Sequence, residues 1–248
     1  MKRFQIYVTA IVLFTLFAAC SKDDGDDLKI TSSRNVELTS KKTSQIECSD
    51  SKATYSSENE YVATVSSTGL ITGKRIGETF IDVNGQKSIK VSVTPVYTQF
   101  TEPQLLFGAT KEEVYAKVGT NYSISDNNGI VYTTTSDRTR GYIYLLTDGK
   151  VSSILMVVNS IYIDSLTEFL LERYELATFS EKDYSVLYIN ALTTNKATMI
   201  IGEQIYSSSL IYVVYLPYSN SSSRAVVNTD NEKIKQQACR LFEKLNLK

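Results

Sequence analysis

The sequence predicts a multidomain chain: an all-β sandwich over residues 28–96, then an α+β domain over residues 97–248 with antiparallel meanders and helices on one face. Three observations predict it. From Leu28 to Pro95 the chain consists of short β-branched runs broken by Ser, Asn and Gly. Beyond Pro103 the hydrophobic period changes, and helix-start signals alternate with strand-length apolar runs. The first 27 residues have the pattern of an export segment and tether rather than of a packed element.

The export reading rests on Lys2 and Arg3, an apolar stretch from Ile6 to Ala19, and small residues before Cys20. That stretch is shorter than the roughly 20 residues a membrane-spanning helix needs, so residues 1–19 read as a signal peptide. Leu16-Phe17-Ala18-Ala19-Cys20 resembles a bacterial lipobox, which implies that Cys20 becomes the lipidated first residue and anchors the chain to the membrane. Residues 20–27 contain the acidic run Ser21-Lys22-Asp23-Asp24-Gly25-Asp26-Asp27, a solvated tether. Its Ser-Lys-Asp-Asp start resembles the lipoprotein export signal of Bacteroidota, which implies a lipid-anchored protein on the outer face of the outer membrane. Cleavage removes Lys2 and Arg3 and no acid, leaving 24 basic against 27 acidic residues. Cys48 and Cys239 remain as thiols and are expected to be buried and free, with no histidine near either to generate a thiolate.

In the first domain, strands are expected at Gln45–Cys48, Ala53–Tyr55, Val62–Val65, Leu70–Thr72, Thr79–Val83 and Ser88–Val93. Ser67-Thr68-Gly69, Arg75-Ile76-Gly77 and Asn84-Gly85 separate them, the last a two-residue hairpin signal. Short strands at this spacing indicate a sandwich. Tyr55-Ser56-Ser57-Glu58-Asn59, Val62-Ala63-Thr64-Val65, Gly69-Leu70-Ile71-Thr72-Gly73, Gly77-Glu78-Thr79-Phe80-Ile81 and Ile89-Lys90-Val91-Ser92-Val93 resemble, in this order, the group 2 bacterial immunoglobulin-like (Big) domain. The resemblance implies an extracellular module used as a spacer or for adhesion, with no catalytic residues to carry over.

In the second domain, Thr110-Lys111-Glu112-Glu113 is a capping box opening a helix through Val118, with Ala109 and Val114 placed as a hydrophobic staple. Ser165-Leu166-Thr167-Glu168 has the same form, with Leu166, Phe169, Leu170 and Tyr174 on one face. Thr229-Asp230-Asn231-Glu232 is a third, followed by Ile234, Ala238, Leu241, Phe242 and Leu245 at helical spacing. Strands are expected at Ile130–Thr134, Tyr142–Leu146, Val151–Val158, Tyr184–Leu192, Thr198–Gln204 and Leu210–Leu216, with Asp148-Gly149 as a hairpin turn. The order suggests a duplicated αβββ unit. Phe107-Gly108-Ala109-Thr110-Lys111-Glu112-Glu113-Val114 and the segment from Tyr142 to Val151 resemble SmpA/BamE-type and β-lactamase-inhibitor-protein-like repeats. That resemblance implies envelope lipoproteins or secreted inhibitors that act by protein contact.

Composition narrows the chemistry. The chain of 248 residues has no histidine, which excludes Ser-His-Asp and Cys-His catalysis and imidazole metal sites. Interspersed charges with a net of -1 leave no basic stripe for nucleic acid. No P-loop or dinucleotide fingerprint occurs, and no cofactor, metal or enzyme activity is expected. Asp126-Asn127-Asn128-Gly129 lacks the downstream Glu of a calcium loop and reads as a turn. Glu168 and Glu172 share a helix face, which with Arg173 adjacent reads as solvated surface. Asp164-Ser165-Leu166 matches the short O-glycosylation sequon of Bacteroidota, but a helix cap accounts for Ser165.

Tyrosine is abundant, with 13 of its 17 copies from Tyr115 onward. Strand parity sets Tyr142 and Tyr144 against Ile143 and Leu145, Tyr188 against Leu187 and Ile189, and Tyr212 against Ile211 and Val213. If the aliphatic face packs on the helices, Tyr132, Tyr142, Tyr144, Tyr188 and Tyr212 form an outward aromatic ligand-binding surface. The expected function is thus an envelope lipoprotein displayed on the cell surface, with an Ig-like stalk and a head that binds a protein or glycan. The alternative is a periplasm-facing envelope-assembly or inhibitor lipoprotein acting by protein contact.

Overall fold

The computed structural model describes residues 29–180 and 185–219 together with Arg240. The expected signal peptide, Cys20 and the expected acidic tether, together with Cys239 and the helix expected from Thr229, lie outside the described residues.

Two sheets form the first unit. β1 (Asn35–Thr39), β7 (Gln86–Thr94), β6 (Gly77–Val83) and β3 (Tyr55–Ser57) pair in that order, and β2 (Thr43–Gln45), β5 (Leu70–Gly73) and β4 (Ala63–Val65) make the second sheet. Inward residues of both, among them Ile46, Val62, Ile71, Ile81, Ile89, Val91 and Val93, form one core. β6 alternates between buried and partly exposed positions, as a half-buried strand must. Asn84 and Gly85 turn between β6 and β7 with φ of 52° and 75°, the positive pair that a type I′ hairpin requires. β1 was not expected from the sequence and pairs parallel with β7.

The second unit is built on one eight-stranded antiparallel sheet. β8 (Ile124–Ser125), β9 (Gly129–Thr133), β10 (Thr139–Thr147) and β11 (Lys150–Asn159) form one meander, and β12 (Glu175–Ser180), β13 (Ser185–Ile189), β14 (Met199–Ile205) and β15 (Leu210–Pro217) the other. The last strands of the meanders, β11 and β15, pair at the centre. A helix precedes each meander: α1 (Lys111–Val118) and α2 (Ile163–Leu171). The repeated plan is therefore a helix and four strands, one strand more than the αβββ unit expected. β8 and β12 were the strands missed: one is two residues long, and the other has little of the alternation that marks a half-buried strand.

α1 has the capping box at Thr110, whose hydroxyl accepts from the Glu113 N–H while the Glu113 carboxylate accepts from the Thr110 N–H at 2.8 Å. α2 departs from expectation. A 3-10 turn over Ser160–Tyr162 leads into it, started by the Asn159 side chain, which accepts from the Ile161 N–H at 3.2 Å. Ser165 sits inside the helix and donates to the Tyr162 carbonyl at 3.0 Å, so it does not cap. An earlier cap and a continuous 3-10 to α transition moved the start upstream.

Val114 of α1 and Leu166, Phe169 and Leu170 of α2 pack into one core on one face of the sheet. Pairing registers trace a row across that face, Ile130, Tyr144, Ile154, Tyr215, Ile201, Tyr188 and Leu176. A second row runs Tyr132, Tyr142, Met156, Val213, Glu203, Val186 and Phe179. The other face carries Val131, Ile143, Leu145, Leu155, Val157, Tyr212 and Val214, which are buried as well.

Candidate functional site

The outward tyrosine surface does not form. Tyr132, Tyr144 and Tyr188 are 7%, 1% and 0% exposed and belong to the core beneath the helices, and Tyr142 packs half-buried against it. Tyr212 lies on the opposite face, 2% exposed, stacked on Tyr206 with ring centroids 4.5 Å apart. Parity sorts residues onto two faces but does not say which one the helices cover. Here they cover Tyr132, Tyr142, Tyr144 and Tyr188, and hydroxyls of this set find polar partners at the rim of the core: Tyr132 donates to the Gly119 carbonyl at 2.8 Å and Tyr142 to the Thr101 carbonyl at 2.8 Å. Tyr188 donates to Glu203 at 2.7 Å; Thr167 of α2 donates to the same carboxylate at 3.2 Å. Burial raises the pKa of Glu203, against the pull of those two hydroxyls.

The structure instead concentrates polar chemistry where the two units meet, at the C-terminal end of α2. Glu172, expected on a solvated face, is 3% exposed. Its carboxylate accepts from the backbone N–H groups of Val96 and Tyr97 at 2.9 and 3.1 Å and pairs with Arg173 at 2.7 Å. Arg173 also lies over the Phe169 ring at 3.6 Å, and its Nε is 3.8 Å from Glu102. Glu102 accepts from Tyr174 at 2.6 Å and from Tyr215 at 3.2 Å. Segment 96–103, of which Phe100-Thr101-Glu102-Pro103 reads as a short linker in sequence, is thus tied into the second unit, with Phe100 set edge-on against Phe169. Burial, and then the charge of Glu102, push the Tyr174 hydroxyl far above its ordinary range.

Loops of the first unit reach the same place. Arg75 donates to the Tyr174 carbonyl at 2.8 Å and pairs with Glu175 at 2.7 Å. The Ile76 N–H donates to the Glu172 carbonyl at 2.8 Å. Tyr61 donates to the Arg173 carbonyl at 2.6 Å, and burial pushes its hydroxyl up to about 12. Bonds from three separate residues to one segment hold the two units together.

Beside these bonds lies a cleft of about 350 Å³ between loop 57–61 of the first unit and Asn190, Leu192 and Lys196 of the second. Its walls are internally braced. Ser57 donates to the Ala63 carbonyl at 2.7 Å, and the Asn59 side chain accepts from the Tyr61 N–H at 3.1 Å. Asn190 accepts from the N–H groups of Thr198 and Met199, both at 3.0 Å. Glu58 is held by Lys87 at 2.8 Å. The cleft therefore presents carboxylates, amides, an ammonium and the exposed Leu192 on a fixed frame, a set suited to hydrogen-bonded recognition. In sequence Ser57, Glu58 and Asn59 enter only as part of the Big-like motif and none of the cleft residues stands out as a binding residue, because loop residues from two units become neighbours only after docking.

Other expected features are simpler. Cys48 is free and half-buried, its sulfur 3.2 Å from the Tyr55 hydroxyl. The Asp126 carboxylate accepts from the N–H groups of Asn128 and Gly129 at 2.8 and 3.2 Å, which closes a turn. Among the described residues no group of three or more Asp, Glu or Cys side chains is placed to hold a metal ion. Nor is any helix among them long and apolar enough to cross a membrane.

No curated protein matches the chain. Among solved structures, the chain is similar to an extracellular protein containing a SCP domain from Bacillus anthracis str. Ames, at 14% identity with a TM-score of 0.23. The likeness covers 50% of each chain, so this chain spans about half the length of that protein. Residues 30–95 match the family of the bacterial Ig-like domain (group 2), over the segment that folds as the two-sheet sandwich. The first unit of this chain is therefore a bacterial Ig-like domain of group 2, followed by a β-rich domain with few helices.

Proposed function

We propose that this protein is a cell-envelope lipoprotein, lipid-anchored through Cys20 to the outer membrane and displayed on the cell surface, and that it works by binding rather than by catalysis. The Ig-like domain acts as a spacer, and the α+β head with the cleft beside it takes a protein or glycan, as an adhesion or capture surface would. The observation that carries this reading is the docking of the Ig-like domain onto the C-terminal end of α2, through Arg75, Ile76 and Tyr61. A spacer that only separated the head from the membrane would need no such bonds. A spacer that supplies one wall of a binding cleft does need them, because the two walls must keep their spacing. The lipobox-like stretch and the acidic tether support the anchor.

Protease accessibility on intact cells tests the reading, with Cys20→Ala and Asp23→Ala/Asp24→Ala variants alongside. Digestion of the wild type, lost when the acidic pair is replaced, is the expected result. Protection on intact cells with digestion after lysis would overturn surface display and favour the periplasmic assembly or inhibitor role.

A further inference from the structure

The face of the eight-stranded sheet turned away from α1 and α2 is buried, although both of those helices pack on the other side. Along one row across it, Val131, Ile143 and Leu155 are 0% exposed and Val214 of β15 is 7% exposed. On either side of these four strands the row opens, and Ile124 of β8 and Leu187 of β13 are only half-buried. Side chains standing on one sheet face shield each other's flanks and leave their tips to whatever lies above. Every described residue of this cluster stands on the sheet itself, and Tyr206, stacked on Tyr212, reaches one end of it. The buried band is roughly 14 Å between its outer strands at a spacing of about 4.8 Å, close to the width of about 10–12 Å that one helix with its side chains covers.

The sequence beyond β15 has the pattern of such a helix. After the capping-box residues Thr229 to Glu232, Ile234, Ala238, Leu241, Phe242 and Leu245 fall on one stripe at helical spacing, with Gln236, Arg240 and Glu243 on the far side. Arg240, the described residue of this segment, is helical and exposed, as the far side of a packed amphipathic helix must be. β15 lies in the middle of the sheet, between β11 and β14, and ends at Pro217. Residues 220–228 reach up to roughly 30 Å when extended, enough to return along the whole of β15 and start a helix above it. We infer that residues 229–245 form a helix laid over β10, β11 and β15 on this second face, with Ile234, Leu241, Phe242 and Leu245 turned onto the row of Ile143, Leu155 and Val214. The second unit is then three layers deep, and this face is core. A partner of the protein is left with the cleft and the margins of the sheet.

Irradiation of the full chain carrying p-benzoylphenylalanine in place of Phe242 tests this, with the cross-links located by mass spectrometry. The expected product is an internal cross-link from position 242 to β10, β11 or β15, and the same probe in place of Arg240 should give none to the sheet. A probe at position 242 that joins a second copy, the Ig-like domain or the β12 strand, or that gives no product on the sheet, would overturn the proposal. Leu241→Asp and Arg240→Asp supply a readout that needs no probe. Leu241→Asp should uncover the face, raising the fluorescence of an apolar dye several-fold and lowering the urea midpoint, whereas Arg240→Asp should leave both at wild-type values. Equal responses from the two variants would contradict a helix turned this way.

Discussion

Glu172 shows most clearly how one residue changes meaning on folding. In sequence it is one of two acids a helical turn apart beside an arginine, the usual sign of a solvated face. In the fold it accepts two backbone N–H groups from the segment that follows the Ig-like domain and pairs with Arg173 while almost fully buried. Removing one member of a buried pair leaves the other uncompensated, so Glu172→Ala should lower unfolding free energy by about 3 kcal/mol, read by urea denaturation. Glu203 is a carboxylate of the opposite kind, 4% exposed and held by hydroxyls alone. Because its pKa is raised in the folded state, its favourable contribution is present below the ordinary carboxylate range and lost as pH rises through the folded value. Glu203→Gln should therefore be more stable than the wild type at pH 7, with the difference closing as the solution is acidified. A constant difference across pH would contradict that assignment.

At the scale of elements, local signals succeed where they close on themselves. The Thr110 capping box needs only four consecutive residues, and both of its reciprocal bonds form. Asn84-Gly85 and Asp148-Gly149 need only positive φ at two positions, and both turns are where the sequence puts them. Ser165-Leu166-Thr167-Glu168 has the same form as the first box and fails, because Asn159 starts the helical run earlier. The two sites make a matched prediction. Thr110→Ala should cost about 1 kcal/mol by loss of an N-cap. Ser165→Ala should cost clearly less, since its hydroxyl returns to a carbonyl within its own helix. Equal losses in chemical denaturation would argue that Ser165 caps after all. β12 went unread for a related reason: its polar and apolar residues lack a period of two once Ala177 is inserted, and pattern reading assumes an unbroken period.

For the whole molecule, the issue is whether the Ig-like domain and the domain that follows it behave as one body. Arg75, Ile76 and Tyr61 all bond to backbone or side-chain groups within Glu172–Glu175. Their number and burial predict a single cooperative unfolding transition in calorimetry for the wild type. Arg75→Ala/Tyr61→Phe removes the side-chain part of the docking and should split that transition into two. The same variant should weaken any ligand that contacts both walls of the cleft. By contrast, Leu192→Ala should reduce binding on a glycan or protein array while leaving the single transition intact, because Leu192 is exposed and takes no part in docking.

The sequence by itself determined the type of each unit. Short alternating strands, turn chemistry and an ordered set of family motifs marked the Ig-like domain, and helix caps alternating with apolar runs marked the α+β domain. These are local properties, fixed by backbone sterics and by side-chain periods within a few residues. The missing histidine likewise removed whole classes of chemistry without any structure. Only the tertiary structure decided which sheet face the helices cover, and so turned the tyrosines from a binding surface into core. It also decided that Glu172 is buried, that residues 96–103 are pinned, and that loop 57–61 lies across from Asn190, Leu192 and Lys196. Those outcomes depend on contacts between residues far apart in the chain, and periodicity within a strand or helix carries no information about its distant neighbours.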